Sequence, residues 1–223
     1  MFDHADFEKN GRAWVRKAVS PADLKRLADS FSLDGRAGDR PATDSSLARY
    51  FMAANPISEI AASLGLTPAP VRLAIFDKSQ QTNWAVPWHQ DRVIAVSERH
   101  DLVGHTSWLR KEGYWHVEPP ITLLESMVFI RLHIDAADES NGCLQIALGS
   151  HKAGRIPSTE AANLANQGRI ENCCAEPGDL LIVKALTLHR SASSVASRPR
   201  RAVRIDFADR AALSPPLHWA LAA

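Results

Sequence analysis

From residue 71 onward the chain repeats one pattern, a run of six to eight mostly apolar residues followed by a turn-forming stretch. The runs fall at 71–77, 91–96, 127–134, 143–148, 180–186 and 202–207, and "DESNG", "ALGSHKAG" and "EPGD" separate several of them. Runs this short, rich in Val, Ile and Leu and bounded by Gly, Pro, Asn and Asp, read as strands. A strand cannot satisfy its backbone alone, so these segments must pair with one another. Helical patterns lie upstream. In "SPADLKRLADSFS", Ser20 sits at an N-cap, Pro21 at the first helical position, and Leu24 and Leu27 on one face. A short helix before Gly11, a strand around 13–19, a loop at 33–45 and helices near 46–54 and 56–64 complete the first third. Helices first and strands later predict an α+β, mainly β, antiparallel barrel or sandwich. One domain over 1–223 is expected, with residues 1–66 as helical support and 67–210 as the β core.

Composition narrows the function classes. The 223 residues carry a formal net charge of +1, so no broad basic field points to nucleic acid or an anionic membrane. No run of 18 apolar residues occurs, and the N-terminal stretch lacks a signal-peptide core. Cys143, Cys173 and Cys174 form an odd set whose close pair is adjacent, unlike a disulfide framework or a zinc clamp. A soluble cytoplasmic protein is expected, with a small-molecule partner, no nucleic acid and no membrane.

The segment "AVPWHQDRVIAV", Ala85 to Val96, places His89 and Asp91 two residues apart with Gln90 between them. On a pleated strand the imidazole and carboxylate share a face and Gln90 takes the other. Taken alone, this tripeptide reads as a half-buried strand end reaching water. Downstream, "EPGDLLIVKALTLHRSASS" ends its apolar run at His189. Two imidazoles and one carboxylate make the facial set that holds Fe(II) and leaves positions open for oxygen and substrate. The strand "PRRAVRIDF" alternates, with Val203, Ile205 and Phe207 on one face and Arg200, Ala202 and Arg204 on the other. An inward arginine needs a buried anion, and a guanidinium clamps a carboxylate with two parallel hydrogen bonds. The competing reading is a surface cluster of Arg198, Arg200, Arg201 and Arg204.

These elements resemble the Fe(II)/2-oxoglutarate dioxygenases, and more narrowly the phytanoyl-CoA dioxygenase family, which includes ectoine hydroxylase. The resemblance is carried by "FEKNGRAWVRKAVSPADLKRL", "VPWHQD", "NGCLQIALGSHKAG", "PGDLLIVKALTLHRS" and "RPRRAV", in the family's order over nearly the whole chain. It implies a double-stranded β-helix, a jelly-roll, cupin-like barrel with N-terminal helices packed on one sheet. It implies His89, Asp91 and His189 as iron ligands and Arg200 as anchor for the distal carboxylate of 2-oxoglutarate, with Arg201 as the alternative. Ser191 matches a hydroxyl position that assists Arg200, and Arg131 falls near a position that contacts the same co-substrate. "NGCLQIALGSHKAG" reads as structural, with Ala147 where the family often has proline and His151 on a loop rather than at the metal.

The implied activity is hydroxylation of a small metabolite, using dioxygen and converting 2-oxoglutarate to succinate and CO2. Desaturation and rearrangement are alternative outcomes. A carboxylate at Asp91, where related halogenases carry a small residue, favours hydroxylation. Two other classes share these ligands, a non-catalytic binding or sensing barrel and a cupin-like hydrolase or isomerase. Neither needs the clamp at Arg200. The near-neutral charge argues against a CoA thioester. The long stretch 97–120 is expected as an irregular lid, with Trp108, Tyr114, Trp115 and His116 as candidates for substrate contact.

Overall fold

The computed structural model describes residues 2–41, 45–111 and 113–221. Helix α1 (His4–Asn10) is capped by Asp3 and ends at Gly11. Gly11 is required twice over, since its φ is +76° and a Cβ there would lie 2.4 Å from His151 Nδ1. Strand β1 (Arg12–Val15) follows, shorter than the 13–19 expectation because Lys17 turns to positive φ. Helix α2 (Pro21–Asp29) begins as its caps dictate: the Ser20 hydroxyl accepts from the Asp23 N–H, and Leu24 and Leu27 are buried. The two-residue strand β2 (Gly38–Asp39) lies in the expected loop, before α3 (Ser46–Met52) and α4 (Pro56–Ser63).

The β region contains β3 (Arg72–Lys78), β4 (Val86–His89), β5 (Ile94–Val96), β6 (Thr106–Lys111) and β7 (Tyr114–Glu118). After α5 (Ile121–Ser126) come β8 (Val128–His133) and β9 (Leu144–Ala147), then α6 (Ala161–Gln167). Strands β10 (Ile170–Cys173), β11 (Leu180–Lys184), β12 (His189–Ser191) and β13 (Arg200–Phe207) complete it. The major sheet runs β1-β11-β8-β13-β3-β2 and the minor sheet β10-β9-β12-β4, with antiparallel pairing throughout.

Strand alternation sorts the major sheet into two faces. Val203 and Ile205, Leu73 and Ile75, and Ile130 and Leu132 point outward and pack under the helices with Leu24, Leu27, Phe51 and Ile57. Burying each such side chain contributes about 1.5–3 kcal/mol. On the inner face, Phe129, Leu181 and Val183 meet Leu144, Ile146 and Cys173 of the minor sheet. The two sheets therefore close on each other as a jelly-roll, with the helices on the outside of one of them. No helix among the described residues is long and apolar enough to cross a membrane.

One expectation is corrected. Residues 97–120 are not an irregular lid: β6 and β7 form a hairpin that pairs with β5 in a third sheet. The hairpin turns at Gly113, at φ +84°, and pairs Lys111 with Tyr114 and Leu109 with His116. Strand β5 also starts at Ile94 rather than at residue 91.

Candidate functional site

The inner end of β4 and the start of β12 pair with His89 directly opposite His189. Antiparallel pairing thereby brings two imidazoles from residues a hundred positions apart to a ring separation of 4.2 Å. Each Nδ1 bonds the backbone carbonyl two residues upstream, Pro87 O for His89 and Thr187 O for His189, both at 2.9 Å. A carbonyl can only accept, so Nδ1 carries the proton and Nε2 keeps its lone pair. Asp91 lies just past the end of β4, and its Oδ2 sits 3.1 Å from His189 Nε2. One ligating atom from each of His89, Asp91 and His189 lies within 4.8 Å of the others. Neutral imidazoles with a carboxylate, and no thiolate, fit Fe(II) by their donor chemistry.

Gln90 explains how the tripeptide is held. Its Nε2 donates to the carbonyls of Gly154 and Leu186 at 2.7 Å, and its Oε1 accepts from the Ile156 N–H at 2.8 Å. The residue between the two ligands thus pins this turn to two other loops.

Asp91 is held in turn by a chain of charges. Arg204 Nη1 donates to Asp91 Oδ2 at 2.6 Å, Arg204 Nε to Asp206 Oδ1 at 2.5 Å, and Arg72 Nε to Asp206 Oδ2 at 2.5 Å. Burial works to raise the Asp91 pKa, but the Arg204 charge and then His189 outweigh it and hold the carboxyl well below its usual value. His89 is shifted down, chiefly by burial and then by His189, which keeps the ring neutral. Both residues stand in the form a metal requires.

Beside this group opens a cavity of about 330 Å³, lined in part by His89, Asp91, His189, Ser191, Arg131, Arg200 and Arg204. That is the lower end of the range for small-molecule sites, about 300–1,000 Å³. Arg200 is 2% exposed, and its Nε and Nη1 have no hydrogen-bond partner; Arg131 Nε likewise has none. Burial pushes the Arg200 pKa down to about 10, and burial with the Arg200 and Arg204 charges lowers that of Arg131 strongly. Arg201, one residue on, faces the opposite way and forms a two-bond pair with Asp135, both contacts at 2.9 Å. Arg198 pairs with Asp138 at the surface. The period of two separates Arg200 and Arg204, which line the cavity, from Arg201, and Arg198 lies before the strand begins.

Lys78 carries the role that sequence reasoning missed. Fully buried opposite Arg200 in the β3–β13 ladder, its ammonium donates to Ser191 Oγ at 3.0 Å and to the Ala192 carbonyl at 2.5 Å. Burial, then Arg200 and Arg131, lower its pKa to about 8. Alternation in "RLAIFDK" was the available signal, because it places Arg72, Ala74, Phe76 and Lys78 on one face. Arg72 and Asp206 were missed for the same reason.

Other candidates lie elsewhere. His151 lies within hydrogen-bonding distance of the Glu8 carbonyl, with Lys184 nearby, away from the metal group. None of Trp108, Tyr114, Trp115 and His116 lines the triad cavity. Trp108 and Trp115 pack edge to face at 6.2 Å, while Tyr114 and His116 border a separate small pocket behind Arg72. They belong to the packing of the third sheet.

The model of the phytanoyl-CoA dioxygenase (PhyH) family matches residues 7–202. The chain belongs to that family. As a family member it takes iron and 2-oxoglutarate as cofactors, and its His-Asp-His group fits the iron. No curated protein matches in sequence. Among solved structures, AviO1 from Streptomyces viridochromogenes Tue57 is similar at 19% identity and a TM-score of 0.68, over 97% of this chain and 99% of that one. The non-heme alpha ketoglutarate dependent carbocyclase SnoK from nogalamycin biosynthesis is similar at 12% identity and a TM-score of 0.67, over 92% and 82%. EctD from S. alaskensis is similar at 15% identity and a TM-score of 0.67, over 93% and 76%. At these identities the likeness is one of fold.

Proposed function

We propose that this PhyH-family protein is an Fe(II)- and 2-oxoglutarate-dependent oxygenase that hydroxylates a small-molecule metabolite and releases succinate and CO2. The observation that carries the reading is Arg200, a buried guanidinium with unpartnered donors in the same cavity as the triad. An uncompensated buried cation costs several kcal/mol, and a dicarboxylate co-substrate removes that cost. A hydrolase or isomerase on the same ligands has no use for it.

In this reading His89, Asp91 and His189 hold the iron, and their backbone-bonded Nδ1 atoms fix each ring in place. Iron with 2-oxoglutarate and dioxygen supplies an oxidant able to take hydrogen from carbon. Arg200 receives the distal carboxylate with its Nε and Nη1 donors, Ser191 adds its hydroxyl, and Arg131 adds positive charge. Lys78 holds Ser191 in position through its 3.0 Å contact. The walls of Phe76, Val86, Phe129 and Leu144 limit water around the reacting group. Asp91 as a ligand favours hydroxylation over halide transfer, with desaturation and rearrangement as the alternative outcomes; the epimerase SnoN and the carbocyclase SnoK bear similar folds.

The test is anaerobic titration of the protein with Fe(II) and 2-oxoglutarate, followed by the weak visible charge-transfer band of the chelate. Its appearance, with succinate formed on admitting oxygen, is expected. Absence of both the band and 2-oxoglutarate binding would sink the proposal.

A further inference from the structure

The inner face of the major sheet is a ladder of charge. Lys78 stands opposite Arg200 at one end, Ala74 opposite Arg204 in the middle, and Arg72 opposite Asp206 at the other. Six residues of strand separate Lys78 from Arg72, about 20 Å at a rise of ~3.4 Å per residue. Arg204, between these ends, is the residue that grips Asp91. The metal group therefore sits between an Arg200 end and an Arg72 end.

The Arg200 end is taken by the co-substrate. The Arg72 end has its own positive charge. Asp206 is shared by Arg72 and Arg204, and Arg204 also serves Asp91, so the series Asp91–Arg204–Asp206–Arg72 alternates in sign and finishes on a cation. Arg72 spends its Nε on Asp206, and neither of its two Nη atoms makes a hydrogen bond among the described residues. Five of the six arginines that line this cavity, Arg72, Arg131, Arg190, Arg200 and Arg204, are set against the carboxylates of Asp91 and Asp206. Iron and 2-oxoglutarate carry opposite double charges, so the excess stays positive once both are bound. Apolar groups stand beside the Arg72 end: Phe129 lies across the ladder from Asp206, and Val93, 37% exposed, lines the cavity just beyond Asp91.

We propose that the primary substrate carries an anionic group, a carboxylate or a phosphate on an apolar body, and that Arg72 binds this group on the far side of the metal from Arg200. The inference rests on the oxygenase reading, and deepens it by naming the substrate class. Arg72 acts as a specificity residue, placing the carbon to be oxidised by holding the charged end away from the metal.

The probes are benzoate, phenyl phosphate and benzamide, of similar size and differing in charge. Each is titrated calorimetrically into protein saturated with Fe(II) and 2-oxoglutarate under anaerobic conditions, with the visible band recorded throughout. Benzoate or phenyl phosphate should bind at least about tenfold more tightly than benzamide, the worth of a charge-assisted contact. Arg72→Gln should erase that preference and Arg72→Lys should restore part of it, each compared at saturating Fe(II) and 2-oxoglutarate. The tighter of the two anions tells carboxylate from phosphate, and either supports the proposal when Arg72→Gln removes its advantage. No benzoate or phosphate preference in the wild type, or a preference that survives Arg72→Gln, overturns it. If the wild type shows the Arg72-dependent preference but never the band, the anion site stands and the oxygenase reading falls.

Discussion

Replacing Arg200 by methionine should make the ligand-free protein more stable and should shrink the extra stability that 2-oxoglutarate confers. Arg200 is 2% exposed, faces no carboxylate, and has its pKa pushed down from 12.5 to about 10 by burial. A folded-state pKa below the unfolded value means the folded state disfavours the proton, and at pH 7 both states are fully charged. The cost is therefore present in full at neutral pH, on the order of 3 kcal/mol at ~1.36 kcal/mol per unit. An unbranched apolar side chain of similar length relieves most of it, and such swaps of buried charge stabilise by about 1–4 kcal/mol. For a chain of this size that is roughly 2–4 °C per kcal/mol in melting temperature. With 2-oxoglutarate an opposing effect enters. Losing a charge-assisted two-bond contact costs about 1.5–3 kcal/mol, roughly ten- to a hundredfold in affinity. At a concentration a hundred times the wild-type Kd, the wild type gains about 2.7 kcal/mol from the ligand and the variant about 0.4–1.4 kcal/mol. Differential scanning calorimetry of the Fe(II)-loaded protein, with and without 2-oxoglutarate, reads both the raised melting temperature and the smaller ligand response in one experiment. Arg201→Met is the control: its half-exposed pair with Asp135 is worth less than about 1 kcal/mol and does not face the cavity. An unchanged 2-oxoglutarate response in Arg200→Met, with the loss appearing in Arg201→Met, would refute the argument.

Three further outcomes follow from the geometry. Asp91→Ala should abolish the Fe(II)–2-oxoglutarate band while circular dichroism stays native; a variant that still forms the band would remove Asp91 from the ligand set. His133 is buried and held neutral, its pKa lowered by burial and then by Arg131 from 6.5 to about 3. Because only the unfolded chain takes up this proton, its contribution is complete above pH 6.5 and is lost as pH falls toward 3, at about 1.4 kcal/mol per pH unit. Urea unfolding of the wild type and His133→Gln between pH 7 and 4 should differ in slope by that amount, and parallel curves would contradict it. Gly142 has φ +68°, and a Cβ there would lie 2.2 Å from the Ala192 carbonyl that accepts from Lys78. Gly142→Ala should cost more than about 2 kcal/mol in chemical denaturation, and a wild-type midpoint would show the turn to be less constrained.

How far the chain could be read depended on which period carried the information. The β runs were legible because apolar segments of six to eight residues bounded by Gly, Pro and Asn have few other uses. His89, Asp91 and His189 could be picked out because polar groups interrupted such runs. The hairpin of β6 and β7 was hidden by charge: Arg110, Lys111 and Glu118 give it the composition of a loop, and its alternation is weak. Its aromatic residues invited a role at the site, yet Trp108 and Trp115 bury each other with Ile94, Val96 and Val117. Lys78, Arg72 and Asp206 escaped notice for a different reason. Each sits on a strand whose hydrophobic residues face the helices, and the polar face of such a strand is ordinarily the solvent face. Here it is the inside of a barrel.

That inversion also separates the net charge of the chain from the charge inside its cavity. A chain at +1 overall looks electrically neutral to any ligand, but a ligand meets the local field and not the sum. The acidic residues that balance the arginines are spent elsewhere: Asp135 on Arg201, Asp138 on Arg198, Asp179 on Arg16, Glu171 on Arg12. Inside the cavity Asp91 and Asp206 face Arg72 and Arg204 as equals, which leaves Arg200 and Arg131 without a carboxylate. Two buried cations side by side in low dielectric repel each other, and an anion bound between them would relieve that repulsion. On the proposed function, the same sorting that exhausts the acids outside should make the inside favour a dianion over neutral keto compounds.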